Sequence, residues 1–228
     1  MARASEGKTL GVAAGRRSRD PERTRNEILE VATEEFSQHG LHGGRVDEIA
    51  ARTRTTKRMI YYYFGSKEGL YLQVMEAAYD AIRRAERQLD VGGLSPVDGL
   101  RRLAEFTYDH HTSNRDFVRL VSIENIHRAE HISKSKTIHD LNSTAIDTLD
   151  GVLRRGVAEG TFRTDVDALD VHMLISSYSI FPVANRYTFR TLFGRDMLDP
   201  DRHDHYRRLV GDMVVATMTQ RPSTEWKT

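Results

Sequence analysis

A short segment that combines basic and aromatic residues has the most distinctive chemistry in this sequence of 228 residues. Residues 37–67 include six basic and two acidic side chains, a local charge of +4, whereas the whole chain carries +1. In this segment Lys57 and Arg58 are followed by three consecutive tyrosines at positions 61–63. Lys and Arg donate hydrogen bonds to guanine edges and phosphates, and tyrosine hydroxyls donate to phosphates. The segment therefore has the chemistry of a nucleic-acid contact, although a basic tyrosine cluster also fits a protein–protein surface.

Two short amphipathic helices, joined by about three residues, are predicted in this segment. The first has one face formed by Val46, Ile49, Ala50 and Thr53. Thr55 or Thr56 can cap the second, which is expected to end near Phe64. Because helices this short are unstable alone, both must pack on neighbouring helices. This arrangement is typical of a helix-turn-helix, in which the second helix enters the major groove of DNA.

The second short helix is expected to turn Ile60 and Phe64, four residues apart, towards the core. Its other side is then free for DNA, and Lys67 adds a cation beside the free N–H groups of the next helix, which favours phosphate. The residues predicted to contact DNA are Arg45, Val46, Thr55, Thr56, Lys57, Arg58, Met59, Tyr61, Tyr62 and Lys67.

Residues 25–70 resemble the DNA-binding domain of the tetracycline-repressor (TetR) family. The matching features are Ile28-Leu29, Ala32, Phe36, Gly40, Val46, Ile49-Ala50, Thr56-Lys57, Ile60 to Phe64 and Ser66-Lys67-Glu68-x-Leu70. The resemblance implies a three-helix DNA-binding domain, a larger helical domain for ligand binding and dimerisation, and a repressor that a small-molecule effector releases from operator DNA.

Three positions depart from the usual pattern of the family. Arg54 stands where glycine is frequent at the turn, so it must adopt a backbone geometry that glycine adopts easily. Arg58 stands where a small residue is frequent. Arg45 stands where Ser or Thr often caps the second helix, a role that its side chain cannot perform. We expect these changes to affect the choice of operator and helix capping more than the fold.

The rest of the chain is predicted to be helical, which gives an all-α fold. Asp20-Pro21, Ser95-Pro96 and Asp199-Pro200 each combine a capping residue with a proline that fits the first helical position. Gly40 is expected to end the first helix, and Gly92-Gly93 separates two later helices. The inner face of the helix capped by Ser66 is predicted to consist of Leu70, Val74, Ala77, Ala78 and Ala81.

Four segments are predicted from this pattern. Residues 1–19 form a disordered basic arm that either contacts DNA or is a plain flexible tail. Residues 20–66 form the helix-turn-helix domain, residues 67–220 the helical ligand-binding and dimerisation domain, and residues 221–228 a flexible tail. In the second domain, one helix from Asp165 or Asp167 to about Phe193 is expected to bend at Pro182.

A ligand site is predicted in the larger domain. Residues 117–128 are similar to the ligand domain of one TetR subgroup, and polar residues interrupt the apolar pattern of that helix. Because buried polar groups need partners, a ligand is one candidate, and an internal Glu–Arg pair or a dimer contact is another. The predicted ligand-binding residues are Tyr108, Glu124, Asn125, His127, Arg128, Tyr178, Phe181 and Asn185.

A homodimer through the last two helices is predicted from apolar stripes at residues 171–193 and 209–217. These stripes resemble the two dimerising helices of the family, although stripes of this kind also occur in ordinary cores. A two-fold dimer would place two DNA-reading helices one or more DNA turns apart, which matches double-stranded, palindromic operator DNA.

Several other classes of protein are disfavoured by the sequence. It has no cysteine, no phosphate-binding loop, no H-E-x-x-H and no nucleophile–base spacing, so we expect neither an enzyme nor a cofactor. His127 and His131 have a spacing that permits metal binding on a helix, but no carboxylate signature accompanies them, and no metal site is predicted. No apolar run approaches the length of a membrane span and no secretory signal is recognisable, so a cytoplasmic location is expected.

Overall fold

The computed structural model describes residues 20–220, apart from the side chains of residues 142–145, and is helical in that range. The predicted arm at 1–19 and tail at 221–228 lie outside the described residues. No strand occurs between residues 20 and 220, so the predicted all-α class is confirmed there. The helices are α1 (Pro21–Gly43), α2 (Val46–Arg52), α3 (Lys57–Phe64), α4 (Lys67–Arg87), α5 (Pro96–Ser113), α6 (Arg115–Ile126), α7 (Lys136–Ala158), α8 (Ala168–Ala184), α9 (Arg186–Phe193) and α10 (Pro200–Thr219), with a 3-10 turn at Ile132–Lys134 before α7.

Helices α1, α5 and α10 begin where the cap-and-proline pairs predict. The Asp20 carboxylate, the Ser95 hydroxyl and the Asp199 carboxylate each accept a hydrogen bond from a backbone N–H of the first turn, at 3.1 Å in all three. A proline follows each cap at the start of the helix. These three starts are therefore confirmed, and each depends only on residues that are adjacent in sequence.

The end of α1 is less simple than predicted. Gly40 has a positive φ of 64°, but its ψ of −177° is extended rather than left-handed helical. The chain makes one more turn to Gly43 before the N–H of Gly44 bonds to the carbonyl of Gly40 at 3.0 Å. The helix therefore kinks at Gly40 and ends three residues later.

The single helix predicted to reach Phe193 is wrong, because α8 and α9 are separate helices. Pro182 lies inside α8 and removes one intrahelical hydrogen bond, yet α8 continues to Ala184. Asn185 then leaves the helical region with φ −106° and ψ 10°, and α9 begins at the next residue. The break thus falls three residues after the proline.

The inner face predicted for α4 is correct in its first half only. Leu70 and Val74 are fully buried, but Ala77 and Ala81 are exposed. Tyr71, Met75, Ile82 and Arg83 complete the buried face. The buried face drifts around the helix, and it leaves the alanines facing an open cleft.

Two main hydrophobic clusters form the core. The first contains residues of α1–α4 together with Leu120 of α6 and Ile138 of α7, and it positions the two short helices. The second packs α5 and α7 against α8 and α10, with Leu100, Val171 and Val210 fully buried. No helix within the described residues is long and apolar enough to cross a lipid bilayer.

Two glycines of α7 provide a paired test of this packing. A methyl group on Gly156 would lie 2.1 Å from the buried ring of Phe162, whereas one on Gly151 meets no described atom within 4 Å. We expect Gly156→Ala to lower the free energy of unfolding by about 1–3 kcal/mol, because the ring must shift. Gly151→Ala should instead raise it by roughly 0.5–1 kcal/mol through better helix propensity. Urea titrations of both variants measure this, and equal effects would contradict the packing.

Candidate nucleic-acid interface

A tight turn at residues 53–56 sets the angle between α2 and α3. Thr53 is buried, and its hydroxyl donates to the carbonyl of Ile49 at 2.8 Å. Arg54 has a φ of 49°, which confirms that it adopts the backbone conformation expected of a glycine at this position. The hydroxyl of Thr56 accepts from the N–H of Met59 at 3.3 Å and caps α3, as predicted.

Helix α3 has one buried side and one open side. Ile60 is fully buried and Phe64 is 5% exposed, and both belong to the first hydrophobic cluster. The guanidinium of Arg25 on α1 lies 5.5 Å from the centre of the Phe64 ring and helps to hold this end of α3. The faces predicted for this helix are therefore confirmed.

The open side of α3 carries the residues that could read a base edge. They are all exposed and comprise Lys57, Arg58, Met59, Tyr61 and Tyr62. Tyr62 extends furthest, with 78% of its surface exposed. Tyr63 differs from its two neighbours because it is half-buried and packs against the core. A helix of this width fits the major groove of B-DNA, which is about 12 Å wide.

Two of the cations around α3 have carboxylate partners in the free protein. Lys57 Nζ lies 2.6 Å from Asp47 Oδ1, and Arg45 Nη1 lies 3.3 Å from Glu48 Oε1. Arg58 has no ion pair with any residue in the described part of the chain. Since exposed ion pairs are worth about 0–1 kcal/mol, these partners can be exchanged for phosphates at little cost.

Arg45 provides no side-chain cap at the start of α2, and a carboxylate from α1 bonds to the backbone there instead. The Glu35 carboxylate on α1 is 8% exposed and accepts a hydrogen bond from the Arg45 N–H at 2.9 Å. The Arg45 side chain is thereby left exposed. Val46, also predicted to contact DNA, belongs to the first hydrophobic cluster and is 5% exposed as a whole residue.

The remaining predicted contacts lie at the edges of α3. Thr55 is half-buried, and its N–H donates to the carbonyl of Ala50 at 3.1 Å. Lys67 is half-buried at the start of α4, and its ammonium donates to the carbonyl of His42 at 3.2 Å. The structure thus brings nine of the ten predicted side chains to one end of the molecule, and Val46 is the exception. Asp47 and Glu35 were missed, because nothing in the sequence links them to Lys57 or Arg45.

Glu124, predicted to bind a ligand, has its hydrogen-bonding capacity taken up by internal partners. It is 1% exposed and accepts from the Tyr71 hydroxyl at 2.9 Å and from the N–H groups of His131 and Ile132, both at 3.2 Å. The His131 ring lies at 2.9 Å as a fourth partner. Burial alone would raise the pKa of this carboxyl, but the hydrogen bonds from Tyr71, Ile132 and His131 outweigh it and lower the pKa. The internal partners of Glu124 are therefore Tyr71, His131 and Ile132 rather than an arginine, and its role in ligand binding stays a prediction.

The neighbouring predicted ligand residues do not line either of the two cavities described below. Asn125, His127 and Arg128 are exposed at the end of α6, beside the N-terminal helices and away from the described cavities. The helix ends at Ile126, so His127 and His131 do not share a helical face. Between residues 20 and 220, no group of three or more potential ligands is placed to hold a metal ion.

Two cavities lie at the other end of α6 and along α8. A cleft of about 1070 Å³ is bounded by α1, α4, the α5–α6 junction and the start of α10, and Tyr108 lines it. A second cavity of about 480 Å³ lies between α8, α9 and α10, and Tyr178 and Phe181 line it. Asn185 lies at the break between α8 and α9 and lines neither cavity. Three of the eight predicted ligand residues therefore face a cavity.

A pair of adjacent histidines on α5 lies in low-dielectric surroundings. Burial, followed by the nearby Arg83 guanidinium, lowers the pKa of His110 to about 4. Burial lowers the pKa of His111 to about 4 as well, although its ring contacts the Thr107 carbonyl at 2.7 Å. Both rings are therefore neutral at pH 7, and they also contact the ring of Phe117.

Two family profiles match this chain. The sequence matches a profile described as "Bacterial regulatory proteins, tetR family" over residues 28–74, and one described as "Tetracyclin repressor-like, C-terminal domain" over residues 96–214. The HTH-type transcriptional repressor NicS from Pseudomonas putida is 32% identical over 201 residues, which is 88% of this chain and 95% of that protein.

Solved structures agree with the sequence matches. The crystal structure of the transcriptional regulator SCO4942 from Streptomyces coelicolor gives a TM-score of 0.67 at 29% identity, covering 87% of this chain and 99% of that one. The ketosteroid transcriptional regulator KstR2 of Mycobacterium tuberculosis gives a TM-score of 0.65 at 21% identity, over 92% of this chain and all of that one. At 21% identity, the likeness to KstR2 shows a shared fold and no more.

The two histidines predict how stability depends on pH. Between their ordinary pKa of about 6.5 and the folded value, the unfolded chain binds more protons, so stability falls as pH drops through that window. We expect each to cost about 1–2 kcal/mol of unfolding free energy between pH 7 and pH 5. His110→Gln should flatten the decline measured by urea titration, with the exposed His139→Gln as the matched control. An equally steep decline in the His110 variant would contradict this assignment.

Proposed function

Because this chain belongs to the tetracycline-repressor family of bacterial transcriptional regulators, we propose that it binds palindromic operator DNA as a homodimer in the cytoplasm and is released by a small-molecule effector. It is a DNA-binding regulator and not an enzyme. The name of its relative NicS, a repressor, supports repression as the direction of control.

The observation that carries the proposal is the open side of α3. Lys57 and Arg58 donate to guanine edges or phosphates, and the carbon surfaces of Met59 and the two exposed tyrosines meet thymine methyl groups. The hydroxyls of Tyr61 and Tyr62 can also donate to phosphate oxygens. One helix therefore combines base-reading and backbone-contacting chemistry, which is the arrangement of a recognition helix.

Residues on either side of α3 would fix its position on the duplex. Arg45 and Lys67 act as phosphate anchors, each exchanging a protein oxygen for a phosphate oxygen. Thr55 and Thr56 contribute their hydroxyls, and Val46 contributes its backbone N–H rather than its buried side chain. Contacts of this kind set the register without reading the sequence.

The proposed dimer interface lies on α8 and α10. Large apolar side chains are exposed there, with Leu169 at 62%, Met173 at 61% and Phe181 at 44% on α8. Leu209 and Met213 on α10 are 37% and 46% exposed. Apolar residues on two packed helices would form a four-helix interface with the same surface of a second copy, and the two-fold axis would then repeat the α3 helix along the DNA.

Helix α6 is the proposed route from an effector to the DNA-binding helices. Its first turns line the cleft through Phe117, and Asp116 accepts from the Ser37 hydroxyl of α1 at 2.9 Å. Its last turn holds Tyr71 of α4 through Glu124. An effector that prefers one arrangement of α6 would shift the separation of the two recognition helices, to the extent of its difference in affinity between the two states.

Selection of bound fragments from genomic DNA tests the proposed function directly. We expect the recovered fragments to share an inverted repeat whose half-sites are centred about 10 base pairs, or a multiple of that, apart. Recovery of fragments without a shared repeat would contradict binding to a palindromic operator.

Two residues of α3 test the assigned interface. Lys57→Ala combined with Tyr62→Ala should weaken binding to a selected fragment at least about 10-fold, because each lost contact is worth about 1–3 kcal/mol. Dimer mass and helix content should not change. Arg154→Ala, at an exposed cation on α7 that also has a carboxylate partner, is the control for loss of charge. Unchanged affinity of the double variant in a gel-shift titration would remove α3 from the interface, and a flat dependence on salt would favour protein binding instead.

The dimer interface has its own test. Met173→Glu places a charge in the proposed four-helix contact, and we expect it to produce monomers in sedimentation experiments and to weaken binding to the full palindrome. Val157→Glu, a similar change at an exposed site on α7, should leave the dimer intact. A dimeric Met173 variant would place the interface elsewhere.

A further inference from the structure

The cavity between α8, α9 and α10, here called the tyrosine pocket, has the size of a small-molecule site. Its volume of about 480 Å³ lies within the range of about 300–1,000 Å³ that is usual for ligand pockets. Aromatic and aliphatic side chains form most of its wall: Tyr178, Phe181, Phe189, Tyr206, Val210 and Val214. An apolar wall of this kind favours an apolar occupant.

Two phenol hydroxyls at this pocket lack protein partners. Tyr178 and Tyr206 both line the pocket, and neither hydroxyl bonds to a side chain or backbone group in the described range. The other hydroxyls of the wall, those of Ser177 and Thr217, already donate to backbone carbonyls of their own helices at 3.0 and 2.8 Å. A hydrogen-bonding group from outside the chain would therefore find the two phenols free to bond.

The electrostatics of the pocket favour an uncharged partner. Burial, followed by the nearby Tyr206, raises the pKa of Tyr178 to about 12. This phenol is therefore neutral at physiological pH. Arg195 is the one cation along the wall of this pocket within the described residues, and it is exposed. An anion entering the pocket would lose its hydration without gaining a buried counter-charge.

We propose that the tyrosine pocket binds a small, uncharged, mainly apolar molecule with one hydroxyl or carbonyl oxygen, which hydrogen-bonds to Tyr178 and Tyr206. The proposal rests on the proposed function only in naming this molecule as the effector, since binding itself needs no DNA. The pocket lies between the two helices of the proposed dimer interface, so its occupant would set how those helices pack.

The segment between α9 and α10 connects the pocket to the cleft. Met197 is 7% exposed and lines both cavities. Arg186 holds this segment by a paired contact with Asp196, at 2.7 Å from Nη2 and 3.0 Å from Nε, and Asp196 also accepts from the Leu198 N–H at 3.0 Å. An occupant of the pocket that displaced Met197 would therefore also change the wall of the cleft that α6 lines.

Binding of 1-naphthol to the full-length dimer, followed by its fluorescence, tests the proposal. Naphthalene has the same rings without oxygen, and 1-naphthoate carries a negative charge. We expect 1-naphthol to bind about 3- to 10-fold more tightly than naphthalene, which corresponds to one net hydrogen bond, and at least about 10-fold more tightly than 1-naphthoate. Equal affinity for all three probes, or tightest binding of 1-naphthoate, would overturn the proposal.

Variants that remove only the hydroxyl locate the site. Tyr178→Phe and Tyr206→Phe should each weaken 1-naphthol binding about 3- to 10-fold and leave naphthalene binding unchanged. Tyr187→Phe, a tyrosine that is 66% exposed on α9, is the matched control and should change neither. If 1-naphthol binds equally well to all three variants, its site lies elsewhere and the proposal fails.

Two further readouts separate this proposal from its alternatives. If the pocket instead receives a side chain of the second copy, 1-naphthol will bind only as the dimer dissociates in sedimentation experiments, and that result overturns the proposal. Failure of 1-naphthol to bind a protein that still binds a selected DNA fragment overturns the ligand class alone. Loss of DNA binding in a protein that still binds 1-naphthol counts against the proposed function alone.

Discussion

The buried carboxylate of Glu124 joins three parts of the molecule that are distant in sequence. It connects the end of α6 to Tyr71 of α4 and to the backbone that precedes α7. The segment it holds includes Arg128 and Ala129 at φ values of 59° and 58°, a conformation that costs non-glycine residues roughly 1–2 kcal/mol each. A buried carboxylate with four partners can hold such a segment, because releasing it would leave a charge without water or donors.

This connection explains why the helix-turn-helix is not an independent unit. The first half of α4 completes the hydrophobic cluster under α2 and α3, and Leu120 of α6 and Ile138 of α7 enter the same cluster. The orientation of the recognition helix is therefore set by α4 and α6 together. In the proposed mechanism, a change in the larger domain would reach α3 by moving these packed helices against one another, without unfolding of the turn.

The sequence predicts features that depend on residues close together in the chain, such as helix starts and buried faces. It does not predict contacts between residues that are distant in the chain. The start of α1 at Asp20 and the burial of Ile60 follow from local spacing, so both are predicted correctly. The break at Asn185 falls three residues after Pro182, so the proline alone did not locate it. Glu124 is recognisable as a buried polar residue, but its partner Tyr71 lies 53 residues away and belongs to another helix. The tyrosine pocket could not be predicted for the same reason, because the periodicity of a sequence does not show which helices enclose a cavity.

The ion pairs of Lys57 with Asp47 and of Arg45 with Glu48 have a consequence for how this protein searches a genome. Each cation already has a counter-charge of its own, so the attraction to random phosphates is smaller than the number of cations suggests. A genome offers about 10⁶–10⁹ competing sites, and what matters there is the ratio between specific and non-specific affinity. If α3 contacts DNA as proposed, these acidic residues reduce the time spent on wrong sequences, and neutralising them would make binding tighter everywhere and less selective.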